Sequence, residues 1–323
     1  MAIILGFVPM AAGKQEHRTA RVAEWLPLAI ILLLSFAIRL PFRDAVLIRD
    51  EGELALLGQR ILQGALPYAD VYNQKTPFSF YFLAAVQAVA GEGLAALRTA
   101  TVVYGLATTA VVYAIARRIG GIAAAAFSAL AFSAMTFNQS GTVHQASTEI
   151  FLLLWVAAAV ALWTPGAGRS PARLLLAGAA AGMAYQSKQS GLAVLAFLAA
   201  ERGWRWLRNE RATPGAGRAA LADVGLAAAG FTLVFAVVTG AFAAAGGLDA
   251  YLACTWTNNW AYVGNRWSEP GRLAHLARAA FGDIAGADLG LWILGATGLV
   301  GLGRGASRRP GSGLWLLLLG GRR

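Results

Sequence analysis

From residue 25 onward the chain alternates between apolar runs of roughly 10 to 25 residues and short polar breaks. The runs lie at about 25–42, 77–90, 94–116, 122–137, 150–163, 174–185, 191–200, 221–245 and 284–303, with a further apolar start at 314–319. This alternation is the strongest constraint on the fold. A segment in hydrocarbon must satisfy every backbone N–H and C=O internally, so a series of such runs is built as helices. Only 13% of residues are charged and 58% are hydrophobic, whereas a soluble domain carries about 25% charged residues. The fold class expected is therefore all-α, a multi-pass transmembrane protein of about nine to ten spans. Runs shorter than the ~20 residues that cross a ~30 Å core take in polar flanking residues.

The loops divide by charge. Segments 1–24, 117–120, 165–173, 201–219 and 304–313 read as basic and nearly free of acid, while 43–76, 91–93, 138–149, 186–190 and 246–283 hold most of the acidic residues, ten of sixteen. Cytoplasmic loops carry the excess of Lys and Arg. The N-terminus is thus expected in the cytoplasm, and the acid-bearing loops on the periplasmic or extracellular face. The formal charge of +11 reads as topology rather than as a nucleic-acid surface. Expected divisions are a cytoplasmic tail at 1–24, a membrane module at 25–303 with its first outer loop at 43–76, and a cytoplasmic loop with an incomplete last span at 304–323. Six apolar residues from Leu314 do not cross a bilayer, so the sequence reads as a fragment.

The first outer loop is the most polar interval in the first half of the chain. Leu54, Leu57, Ile61 and Leu62 recur at helical spacing opposite Glu53, Gln59, Arg60 and Gln63, with Gly64 and Pro67 following. An amphipathic helix lying in the membrane interface is expected. Asp50 and Glu53 have capping-box spacing at its start. The same rigidly held aspartate suits a general base, so the two roles stand side by side.

Three further groups converge on that face. Lys75 and Lys188 are outer lysines that run against the topological bias. Each reads either as a snorkelling side chain or as a phosphate contact. Glu149 opens the fifth span, where an unpaired carboxylate is costly, and His144 lies just before it. The aromatic stretch with Trp256, Trp260, Tyr262 and Trp267 reads first as an interfacial belt. Several chemistries are absent. One cysteine, Cys254, excludes an intramolecular disulfide, and His17, His144 and His275 have no ligand spacing. No Walker A, dinucleotide-binding or HExxH pattern occurs. No metal ligand set and no cofactor is legible, although the carboxylates are groups able to hold a divalent ion.

The order of these pieces resembles a known superfamily. Asp50-Glu51-Gly52 after the first span, Leu62-x-Gly64-x-x-Pro67-Tyr68-x-Asp70, and Lys75-x-Pro77 entering the second span are similar to the polyprenyl-phosphate-dependent GT-C glycosyltransferases. The nearest groups are the dolichyl-phosphate-mannose protein mannosyltransferases and the bacterial aminoarabinose–lipid A transferases. Ala116-Arg117-Arg118-Ile119-Gly120, Thr148-Glu149 and Ser187-Lys188-Gln189 extend the resemblance over about 25–200. The resemblance implies a GT-C fold and transfer of a sugar from a polyprenyl-phosphate donor to a protein, lipid or glycan acceptor, on the non-cytoplasmic face. It implies Asp50, with Glu51 beside it, as the catalytic acidic position and Lys75 as the donor-phosphate contact, joined by Lys188. Tyr68, Asp70, His144 and Glu149 are the implied substrate-binding positions. Leu54 and Thr76-Pro77 depart from the aromatic and the double proline common in that family.

Two other classes fit the same composition. A non-enzymatic lipid or solute transporter is expected to carry charged or broken helices at mid-membrane, which the runs mostly lack. An inactive fragment or assembly subunit of a transferase is the third reading.

Overall fold

The structure is a computed structural model, and it describes residues 12–47, 49–137, 146–164, 170–261 and 271–278. Among these the architecture is helical, without a named strand. The helices are α1 (Ala12–Arg39), α2 (Arg49–Leu62), α3 (Phe78–Ala90), α4 (Leu94–Met135), α5 (Thr148–Trp163), α6 (Pro171–Ser187), α7 (Leu192–Arg205), α8 (Ala216–Ala244), α9 (Leu248–Leu252) and α10 (Arg272–Arg278). Segments Glu24–Phe42, Leu94–Met135 and Ala216–Ala244 are long and apolar enough to cross a membrane, and α3 and α5 are shorter apolar helices. The expected ninth span, at 284–303, lies outside the described residues.

Helix α4 is a hairpin of two arms rather than one rod. It breaks at Gly121, whose φ of 77° and ψ of −167° no helix contains. The first arm descends along α1, so that Arg98 reaches Val46 O while Tyr113 Oη donates to Glu24 O. The second arm returns beside α1, where Ser35 and Ser133 share a hydroxyl hydrogen bond. Arg39 closes the top of this pair. Its guanidinium donates to Ser35 O, Ser133 O and Thr136 Oγ1 and covers the Phe137 ring. The sequence reading of separate third and fourth spans around Gly120-Gly121 matches these arms.

Helices α5, α6, α7 and α8 form the second half. Lipid removes the hydrophobic drive between spans, so close backbone approach at small residues holds helices together. The α6–α8 contact is built this way. A Cβ on Gly178 would stand 1.8 Å from Ala227 O, and one on Gly230 would stand 2.0 Å from Leu175 O. Around it pack Ala177, Ala180, Ala181, Ala184 and Leu198.

At one end of this half, arginines are consumed by the fold. Arg118 and Arg173 both donate to Ala161 O, and Arg173 also donates to Thr164 O, which satisfies carbonyls that a helix end leaves open. Arg202, fully buried, donates to Asp223 at 2.7 Å and pairs with Glu210 at 2.8 Å. Arg205 pairs with Glu201, whose other oxygen accepts from Trp163 Nε1. This corrects the reading of 201–219 as basic and nearly free of acid. Glu201, Glu210 and Asp223 pair with Arg202 and Arg205, and a π-helical turn at Trp206–Glu210 brings these groups together.

Candidate active site

The opposite end of α7, about 21 Å away for its 14 residues at 1.5 Å per residue, carries the polar groups singled out in the sequence. Helix α2 lies across α3, touching closely at Gly58, where a Cβ would meet Ala84 N at 2.9 Å. Leu54 and Leu57 are buried beneath it, in a cluster with Phe80, Leu83, Phe151 and Tyr251. This docking fixes which acids face where.

Asp50 and Glu51 separate sharply. Asp50's side chain is 54% exposed and sits 3.3 Å from Lys75 Nζ, while Glu51's is 2% exposed and locked to Arg98 at 2.8 Å. Ala146 N donates to the second Glu51 oxygen. Glu51 is therefore the anchor of a sealed ion pair tying α2 to α4 and to the start of α5. It does not join the open acids. Removing one partner of such a pair costs about 3–5 kcal/mol.

The expected capping box does not form. Helix α2 opens at Arg49, which puts Asp50 inside the first turn. The Glu53 carboxylate goes instead to Asn73 Nδ2 and, at 3.5 Å, to Lys75 Nζ. Two partly exposed carboxylates thus hold one lysine whose side chain is 20% exposed.

Lys75 is fixed by its backbone as well. Its N–H donates to Asn73 Oδ1 at 2.8 Å, and its C=O accepts from Tyr68 Oη at 2.8 Å. Tyr68 has φ +73°, a left-handed conformation that a bulky residue rarely adopts. Its ring is buried against Phe80, Phe242 and Tyr251. Burial pushes the Tyr68 phenol well above its ordinary pKa, which keeps it a donor. Asp70 accepts from Leu66 N at 2.7 Å while its own N–H donates to Leu66 O. Tyr68 and Asp70, expected to bind substrate, shape the loop that carries Lys75.

Lys188 pairs with Glu149, joining the α6–α7 break to the mouth of α5. The break needs a glycine. At Gly191 a Cβ would stand 2.3 Å from Ala184 C, so the chain folds tightly back and presents Lys188 at the turn. His144 lies outside the described residues. Trp256 packs on the Tyr185 ring, whereas Trp260 is 68% exposed. The aromatic stretch therefore divides between packing and surface, and Tyr262 and Trp267 lie outside the described residues.

Several residues of the site were not singled out from the sequence as functional: Arg98, Asn73, Gln74, Gln189 and Asn259. The Gln74 carbonyl accepts from Gln189 Nε2 at 2.6 Å and from Asn259 Nδ2 at 2.8 Å. Beside this node an apolar groove of about 270 Å³ opens between α3, α6 and α8, lined by Pro77, Phe78, Met183, Gln186, Val238 and Phe242 among others. No group of three or more potential metal ligands occurs among the described residues.

Fold and site define a multi-pass α-helical membrane protein with its exchangeable charges at one end. Residues 74–224 match the family model of the dolichyl-phosphate-mannose-protein mannosyltransferases. That stretch contains Lys75, Glu149 and Lys188, while Asp50, Glu51, Tyr68 and Asp70 precede it, so the family model meets the resemblance over the later motifs. The chain is also similar to the crystal structure of ArnT from Cupriavidus metallidurans bound to undecaprenyl phosphate, at 21% identity and a TM-score of 0.46, over 67% of this chain and 42% of that one. It thus spans less than half the length of that relative. No curated protein matches the sequence.

Proposed function

We propose that the protein is a membrane glycosyltransferase that moves a sugar from a polyprenyl-phosphate donor to an acceptor hydroxyl on the non-cytoplasmic face. The observation that carries this reading is the Asp50–Lys75–Glu53 cluster, in which two accessible carboxylates flank a lysine set on a pinned loop. Asp50 takes the proton of the acceptor hydroxyl. The acceptor oxygen bonds to the anomeric carbon as the bond from that carbon to the phosphate oxygen breaks, and the electron pair leaves with the polyprenyl phosphate. Lys75, a compact point charge, exchanges its carboxylate partners for that phosphate and offsets the charge it gains. Freed from the lysine, Asp50 is then available as the base. Lys188 is the second phosphate contact of this reading, and Glu149, its partner in the ion pair, is a substrate-binding group. The groove beside Pro77 suits an apolar lipid chain, and Glu51 acts as a positioning residue through Arg98. The separation of arginine-rich and acid-bearing ends supports the orientation.

The test is transfer from a labelled polyprenyl-phosphate-sugar pool in membranes carrying the protein, beside Asp50→Asn at equal expression. Product with the parent and none with the variant is expected. Equal product from both removes Asp50 as the base.

A further inference from the structure

Two side-chain amides from distant parts of the chain meet at the residue before Lys75. Gln189 Nε2 donates to Gln74 O at 2.6 Å and lies 3.5 Å from Thr255 O. Asn259 Nδ2 donates to the same two carbonyls, at 2.8 Å to Gln74 O and 2.9 Å to Thr255 O. Each NH2 group therefore bridges the Lys75 loop to the π-helical turn at Ala253–Thr257. An amide NH2 has two donors, and here both are spent on holding two backbone segments together.

The clamp has a specific target. Gln74 O and the Lys75 N–H belong to one peptide group, whose N–H is held by Asn73, and Lys75 O is held by Tyr68. The backbone on both sides of Lys75 is thus tied at four points, three of them by side-chain amides. By contrast, among the described residues the Lys75 Nζ ion pairs are with carboxylates at 3.3 and 3.5 Å, long for charge-assisted hydrogen bonds. A rigid base under a loosely held ammonium suits a cation that must receive a ligand in one place.

We propose that Gln189 and Asn259 are positioning residues for Lys75, setting the ammonium where it meets the phosphate of the lipid donor. This rests on the reading of Lys75 as the phosphate contact. Neither residue touches the reacting atoms. They act through the Gln74 peptide, and through them the break between α6 and α7 and the segment after α8 both determine the affinity for phosphate.

The experiment measures binding of a labelled polyprenyl monophosphate to the purified full chain in detergent. The variants are Gln189→Met and Asn259→Leu, which keep side-chain volume and remove the donors, each in the parent and in a Lys75→Ala background. Displacing a positioned group by about 1 Å costs up to about a hundredfold, so roughly a tenfold weaker affinity is expected for each variant in the parent background. No further loss is expected in the Lys75→Ala background, because the clamp acts through the missing lysine. A general structural role gives the same loss in both backgrounds and overturns the proposal, as does parent-like affinity in both variants while Lys75→Ala binds weakly. Parent-like affinity in Lys75→Ala itself removes the phosphate reading, and the clamp falls with it. Should Asn259→Leu fail to accumulate, Gln189→Met reads the same prediction alone, since either amide bridges the same carbonyls.

Discussion

The two ends of helix α7 use different cations. At one end Arg202 and Arg205 are buried among Glu201, Glu210 and Asp223, and Arg118 and Arg173 cap the end of α5. At the other, Lys75 and Lys188 sit partly exposed beside Asp50, Glu53 and Glu149. The sequence contains only three lysines, Lys14, Lys75 and Lys188, among its 27 basic residues, and both that fall among residues with described side chains are at this second end. Guanidinium is a rigid fork that satisfies several acceptors at once, and ammonium is a point charge that exchanges partners readily. At these positions arginine holds charge sealed into the fold and lysine holds charge that stays available, whereas Arg43 pairs with Asp44 in the open. Arg98 obeys the same rule at the lysine end, since its partner Glu51 is sealed too.

The comparison can be broken from either side. Asp50→Asn has the largest expected effect, a loss of transfer of about 10²- to 10⁴-fold with unchanged thermal unfolding in detergent, read by product formation and a melting curve from one preparation. Arg202→Ala inverts that pattern. It leaves two carboxylates in a buried site and lowers stability by about 3–5 kcal/mol, read as a lower unfolding midpoint. Arg202→Lys sharpens the rule, because an ammonium cannot span Asp223 and Glu210 as the fork does, and the lost charged hydrogen bond costs about 1.5–3 kcal/mol. Lys188→Ala is the smallest. The Lys188–Glu149 pair is more than a third exposed on both sides, so stability changes by less than about 1 kcal/mol. A melting point lowered as much as by Arg202→Lys would erase the distinction between the ends.

The sequence made some of this legible. The apolar runs located the helices, and the break at Gly120-Gly121 marked the α4 hairpin, because hydrophobic length and glycine are local signals. The placement of Asp50, Lys75, Lys188 and Glu149 on one end followed from loop charge. The fate of Glu51, read as a catalytic partner of Asp50, was missed although its signals are local. Glu51 shares a helical face with Leu54, Ala55 and Gly58 at spacings of three, four and seven, the face that is buried, and Arg98 stands inside an apolar run, where a cation requires a partner. Asn73 and Asn259 had no such mark, and Gln189 was marked only as part of Ser187-Lys188-Gln189, not as a contact to the Lys75 loop. Uncharged amides fit turns and loops anywhere, and only the tertiary fold brings residues 115 and 185 positions away to Gln74. The pairing of Arg202 with Asp223, 21 positions apart, was invisible for the same reason.

The split between Asp50 and Glu51 has a consequence for how this region tolerates change. Successive residues on a helix point about 100° apart, as 3.6 residues per turn requires, and α2 is held in phase by Leu54, Leu57 and Gly58 against α3. Inserting or deleting a single residue between Glu51 and Leu54 would turn both acids by that angle and carry Glu51 away from Arg98. Nearby point substitutions leave the phase intact. Changes of length in this turn are thus costlier than replacements at its outward positions, and the spacing from Asp50 through Glu51 to Leu54 marks the site together with the acids that face Arg98 and Lys75.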